Sequence, residues 1–465
     1  MTSASSPPQQ LSWRSHYWQT IALSLPLVIG QLASIGIATA DVIAMGQISS
    51  NDLASGSLAA RFYQPFYFMG LGITLATGPI VAQGLGGNDP RLVRRAFRQG
   101  MVIAVFLALI AMPFVMVGDI VLVWLGQDPA ISAHAKDFLF WSAIGLPFMF
   151  LFFVLRQFVS SHKKPMPQVI ATIGGLLANI LGNHICVYGY GPIPPMGLGG
   201  IALSTTIVYL LICISLLIYI GITEPYKSSK PFQRLWIMDW EITRRIFVIG
   251  IPIGCTIVAE TGMFIAVVFI IGLYGPVPLA ASAIANQIAA VAFMVPLAIG
   301  QASTIRVGHF AGANDRHNIS RASWSAVWVG LGLSSIIMAY LFLQSEFLID
   351  LFLADNDPMA AAVATFAIPM MIITALFQWG DGTQAITISA LRGLNDTKVP
   401  AYIAIACFWF IGVGIGALGA YAFDFDPVAI WGCLLIGLMV ASVALTYRLY
   451  VATSRITRGG AILTQ

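Results

Sequence analysis

Apolar residues run in blocks of twenty or more along most of this chain, separated by short polar connections rich in arginine, asparagine and glycine. A helix needs about 20 mostly apolar residues to cross about 30 Å of hydrocarbon. Twelve such blocks are legible, with limits near 18–45, 55–82, 99–118, 136–155, 167–189, 198–222, 246–273, 279–304, 322–344, 362–391, 400–422 and 428–450. Each is expected to be a helix, because a lone strand would leave its backbone groups unpaired in lipid. The fold class this implies is an all-α integral membrane protein with twelve transmembrane helices. The polar stretch MTSASSPPQQ reads as a short disordered tail. The apolar block behind it is too long for the core of a cleaved signal peptide, so it is kept as the first span.

Composition agrees with the pattern. Hydrophobic residues make up 58% of the 465 and charged ones 9%, against about 25% charged in soluble domains. The placement of charge says more than its amount. If both ends are cytoplasmic, 21 of the 23 Lys and Arg residues fall on cytoplasmic tails and connections. Lys136 alone falls outside, and Arg61 lies within span 2. That asymmetry is the positive-inside pattern. The five cysteines all sit in apolar stretches without a CxxC pair, so neither a metal site nor a disulfide framework is expected.

The chain repeats at an offset of 226 residues. Pro26 matches Pro252, Gly46 matches Gly272, Ala59 matches Ala285, and Arg95 matches Arg321. The loop GGND at Gly86 to Asp89 matches GAND at Gly312 to Asp315. Further on, Leu155-Arg156 with Pro165 mirrors Leu391-Arg392 with Pro400. Six spans per half is an even number, so the two halves share one orientation in the membrane. The expected domains are a cytoplasmic tail (1–17), an N-terminal six-helix lobe (18–222), a basic linker (223–245), a C-terminal six-helix lobe (246–450) and a second tail (451–465). Trp236 and Trp240 in the linker suit headgroup anchoring. Transporters built from such repeats bind between the halves and rock one against the other.

Ionisable groups inside spans are costly and usually line a bundle interior or an ion path. Asp41, Arg61, Glu260 and Asp381 are the four here. Counted from the inner ends of their spans, Glu260 and Asp381 differ in depth by only about 6 Å at the helical rise, so they are expected to share a cavity. Gln378, Thr383 and Gln384 flank Asp381, and Asn286 and Gln287 lie on span 8. Their oxygens suit either a sodium shell or a protonated acid, and residue types do not separate the two ions. Arg61 and Asp41 lie at similar depths on adjacent spans, which allows an ion pair; the competing reading is that Arg61 extends outward to the headgroups. His184 reads as a packed, hydrogen-bonded histidine rather than a proton relay. The cluster Phe62, Tyr63, Phe66, Tyr67 and Phe68 reads as lipid-facing packing more readily than as a drug-binding wall. Pro26 and Pro252 suit hinges as well as close packing. No HExxH or GxSxG constellation lies in a span, so an enzyme is not expected.

The motifs ADVIAMGQIS (40–49), PIVAQGLGG (79–87), ANILGNHICVYG (178–189), GIPIGCTIVAETGMF (250–264), ANQIAAVAFMVPLAIGQASTIRVGHFAGA (285–313) and QWGDGTQAITISALRGLNDTKVP (378–400) resemble the multidrug and toxic compound extrusion (MATE) family in its bacterial NorM-like branch. The resemblance covers residues from about 20 to 450. It implies two six-helix lobes around a V-shaped cleft and export of small organic compounds against inward protons or sodium, with no cofactor beyond that ion. Asp41, Glu260 and Asp381 match the family's acids, Asn179 and Asn183 the asparagines that accompany Asp41, and Gln287 the glutamine of span 8. Phe377 stands where a tyrosine is common, which removes a hydroxyl beside Asp381. Arg61 stands where a small residue is usual, which makes an anionic or zwitterionic metabolite an alternative cargo. A flippase for lipid-linked saccharides is the second alternative. The expected partners are a small-molecule substrate and the lipid bilayer, with no nucleic acid. The expected setting is a monomer in the bacterial inner membrane.

Overall fold

The computed structural model describes residues 11–191, 194–233, 237–353 and 359–460. The MTSASSPPQQ tail and Trp236 lie outside the described residues. Twelve long apolar helices are present: α1 Trp13–Ile48, α2 Ser50–Gly86, α3 Pro90–Met116, α4 Lys136–Ser161, α5 Met166–Tyr188, α6 Gly197–Ile222, α7 Trp240–Gly272, α8 Pro276–Gly312, α9 Arg316–Leu343, α10 Ala360–Gly393, α11 Lys398–Ala422 and α12 Pro427–Thr457. Each corresponds to one expected span. Short helices Gly118–Trp124, Pro129–His134 and Ser345–Asp350 lie in connections. α11 contains a π-helical stretch, Cys407–Val413. Apolar side chains face outward at high exposure, among them Phe410 at 79% and Leu343 at 75%. Such a surface suits contact with lipid and is uncommon in water.

The repeated loops show why their residues recur. Asn88 and Asn314 both take a left-handed backbone, with φ of 52° and 56°, which asparagine tolerates better than most residues. The next residue then caps a helix. Asp89 accepts from the backbone N–H groups of Arg91 and Leu92 at 2.9 and 3.1 Å, and Asp315 accepts from that of Asn318 at 3.1 Å. Sharp turn and N-cap are thus supplied by two consecutive residues in each half.

The chain packs as two compact units. The first holds residues 29–85 and 89–257; the second holds α1 as far as Val28, residues Gly86–Asn88 and the chain from Val258 onward. These limits do not follow the repeat. The beginning of α1 packs in the second unit, where Leu23 and Leu27 join Ala298, Ala302 and Ile305 of α8. His16 meets Asn318 at 3.0 Å and Arg306 at 2.7 Å, and Arg321 donates to the carbonyl of Leu11 at 2.6 Å. The beginning of α7 packs in the first unit. Gln99 donates to the carbonyl of Ile237 at 2.9 Å and accepts from Thr243 at 3.1 Å, while Arg95 pairs with Asp239 and Glu241. Arg95 and Arg321, one repeat apart, therefore each clasp the entry of the other half's first helix. The changeovers fall two residues beyond Pro26 and five beyond Pro252.

α2 and α7 approach to backbone contact within the first unit. A Cβ at Gly72 would lie 2.2 Å from the Cα of Gly254, and one at Gly250 would lie 2.6 Å from the Cα of Ile73. Only glycine permits this crossing, the small-residue packing expected of membrane helices.

Candidate ion-coupling sites

In the first unit, Asp41 of α1 meets three neutral donors. Asn179 and Asn183, one turn apart on α5, donate to its Oδ1 at 3.1 and 2.8 Å. Thr205 of α6 donates to its Oδ2 at 2.8 Å. Asn179 also donates to the Thr205 hydroxyl at 2.9 Å. A hydroxyl can turn to accept instead of donate. By rotating Thr205 the network can serve an ionised or a protonated Asp41. A small cavity, about 20 Å³ and roughly the space of one water, touches Asp41, Tyr63, Ser142, Thr205, Thr206 and Tyr209.

The second unit brings Glu260 of α7 to Asp381 of α10. One amide nitrogen of Gln384, a turn along α10 from Asp381, donates to Glu260 Oε1 at 2.8 Å and to Asp381 Oδ1 at 3.1 Å. The two carboxyl oxygens sharing that nitrogen are therefore within about 6 Å of each other. Asp381 and Gln384 are 4% and 1% exposed. Glu260 is half-buried, and two carboxyl groups this close each disfavour the charged form of the other. Gln384 Oε1 is buried without a hydrogen-bond partner and supplies a free acceptor beside the pair. Phe377 is fully buried, 6.0 Å from Phe264 and 6.1 Å from Trp431 between ring centroids. Phe377, one helical turn before Asp381 on α10, carries no side-chain oxygen.

Other residues singled out in the sequence go elsewhere. Gln378 donates to the carbonyl of Ala289 at 2.9 Å, and Thr383 to that of Trp379 at 2.7 Å. Gln287 is exposed on α8, with no hydrogen bond to either acid among the described residues. The Asp41–Arg61 pair is not formed. Arg61 is exposed and makes no ion pair among the described residues. Three neutral donors satisfy Asp41 in the arginine's place. His184 is exposed too, its ring 5.1 Å from Tyr188, and it is not packed in a core and makes no hydrogen bond among the described residues. The aromatic cluster divides: Phe66 stacks on Phe114, whereas Tyr63 lines the Asp41 cavity and Tyr67 packs on Phe153. Thr205 does not stand out in the sequence as a site residue, and Tyr63 is expected there only within the aromatic cluster. One available signal was the hydroxyl run Ser204-Thr205-Thr206 in an otherwise apolar span.

Twelve apolar helices with carboxyl groups set within them are the frame of a membrane transporter. The MatE family profile matches residues 26–185 and again 252–418, two copies that begin at the repeated prolines. Among curated relatives, the probable multidrug resistance protein NorM of Agrobacterium fabrum is 36% identical over 444 residues, covering 96% of each chain. The protein of that name from Pseudomonas putida is 34% identical over 431 residues, covering 92% of each. Among solved structures, the eukaryotic MATE transporter AtDTX14 superposes with a TM-score of 0.86 at 18% identity, over 96% of this chain and 98% of that one. A MOP superfamily transporter from Pyrococcus furiosus gives 0.86 at 16% identity, over 95% and 97%. The chain belongs to the MatE family of multidrug and toxic compound extrusion transporters.

Proposed function

We propose that the chain is a secondary antiporter that exports small organic compounds in exchange for inward protons, by alternating access between its halves. The observation that carries this reading is the Gln384 amide shared by Glu260 and Asp381. A half-buried glutamate this close to a buried aspartate favours uptake of a cation that balances the pair's charge. It can then load from one side of the membrane and release to the other. The proton is favoured over sodium because Phe377, one turn before Asp381 on α10, supplies no ligand oxygen. Asp41, with a hydroxyl that can reverse its donor role, is a second proton-accepting position. The lopsided distribution of Lys and Arg supports insertion in a bacterial plasma membrane with both ends in the cytoplasm. The relatives' names support a multidrug cargo. Efflux of a cationic dye from vesicles, with a pH gradient and a sodium gradient imposed separately, tests the reading. The pH gradient alone should drive export.

A further inference from the structure

Among the described residues, α1, α3, α5 and α6 each carry several exposed large apolar side chains, and α2 carries none. Beyond its first turn, the exposed positions of α2 are Ala54, Arg61 and Pro65. At about 100° per residue the three fall on one narrow face. That face runs on to Gly72, where α2 crosses α7. A face turned to lipid carries large apolar residues, as on the other spans. A face of small and charged residues within a span suits water, and ionisable groups inside spans almost always line such a space.

The repeat carries the same face into the second unit. Counted 226 residues on, Ala54, Arg61 and Pro65 become Ala280, Gln287 and Val291 of α8, and all three are exposed. No position of α2 beyond Pro65, or of α8 beyond Val291, is exposed. Exposure thus ends at the same depth in both helices. A polar side chain stands at the same place in each, neutral in α8 and cationic in α2. Arg61 lies about three turns into α2, roughly 16 Å from Ser50 along the helix. It makes no ion pair among the described residues. A guanidinium fork takes a carboxylate by two parallel hydrogen bonds, which neither an ammonium nor an amide reproduces.

We propose that Arg61 selects cargo by charge, binding the carboxylate of zwitterionic or anionic organic compounds on the water-facing side of α2. The inference rests on the exporter reading above and names a substrate class for it. A purely cationic compound gains nothing from the guanidinium and binds without it. Gln287 offers only an amide at the equivalent place, so the preference comes from one half alone.

The test is dye binding to the purified protein in detergent, read by fluorescence anisotropy. One xanthene dye serves in two forms, the zwitterionic free acid and its cationic ethyl ester. Wild type should bind the acid more tightly than the ester by about tenfold. Arg61→Gln copies the residue of the repeat and should erase that preference by weakening the acid alone. Arg61→Lys keeps the charge without the fork and should keep part of it. Equal binding of the two forms by wild type would overturn the proposal, as would an Arg61→Gln variant that weakens both alike. Displacement of the acid by phosphatidylglycerol, with the ester left in place, would give Arg61 to a lipid headgroup and overturn it too. Binding is read without any gradient, so the proton-coupled reading is tested apart from it. If the acid is preferred in binding and a pH gradient drives export of neither form from vesicles, it is that reading that fails.

Discussion

At the scale of single residues, the Asp41 site depends on one hydroxyl. Thr205 both accepts from Asn179 and donates to Asp41. Thr205→Val keeps the shape and removes both bonds. A hydrogen bond to a charged group contributes about 1.5 kcal/mol, or roughly tenfold. Coupled efflux by the variant should fall by about that factor at unchanged membrane abundance, as a dye-efflux time course would show. A second residue-scale effect lies outside the lipid. The Arg95 guanidinium holds the Asp239 carboxyl below the usual aspartate range. A carboxyl so lowered contributes stability above its unfolded value of about 3.9, and the contribution is lost as pH falls through the lowered folded value. Arg95 is 39% exposed, so the effect should be about 1 kcal/mol or less. Asp239→Asn should therefore melt earlier than wild type in detergent at pH 7, and the two melting curves should converge as the pH is brought below 4 or so.

At the scale of helices, the α2–α7 crossing is the least forgiving contact. Gly254→Ala would place a Cβ 2.7 Å from Met69 Sδ and 3.1 Å from the Met69 carbonyl oxygen; at Gly72 it would meet backbone atoms at 2.2 and 2.3 Å. The methionine tip can move, whereas the backbone cannot. Gly72→Ala should thus cost about 1–3 kcal/mol, the range for overpacking, and Gly254→Ala less. Thermal unfolding of the two variants should rank them in that order. The helices themselves were legible because a block of twenty apolar residues has few alternatives in lipid. Their exchange between units was not. The beginnings of α1 and α7 look like any other apolar stretch, and what seats them is Arg321 and Arg95 reaching them from remote positions. The carboxyls stood out because charge inside a span is rare. Their partners were harder to choose. Gln378, Thr383 and Gln384 all neighbour Asp381, yet Gln384 alone, three residues on and on the same helix face, reaches both acids.

At the scale of the whole molecule, orientation and coupling carry the account. Cysteines introduced at Arg94 and Lys230 should react with an impermeant reagent only from the cytoplasmic side, and cysteines at Asp128 and Asp424 only from outside. Outside labelling at 94 or 230 would reverse the topology. The duplicated plan gives each half an acid site within its spans. The two sites differ in kind, a single carboxyl held by neutral donors in one and a carboxyl pair sharing an amide in the other. On the proposed reading, the pair is where coupling is expected to reside. The most direct measurement is uphill dye export by purified protein in vesicles, wild type beside Glu260→Gln and Asp381→Asn, with the pH and sodium gradients imposed one at a time. The pH gradient alone should drive export by the wild type and by neither variant. Export driven by sodium alone, or undiminished export by both variants, would contradict the account.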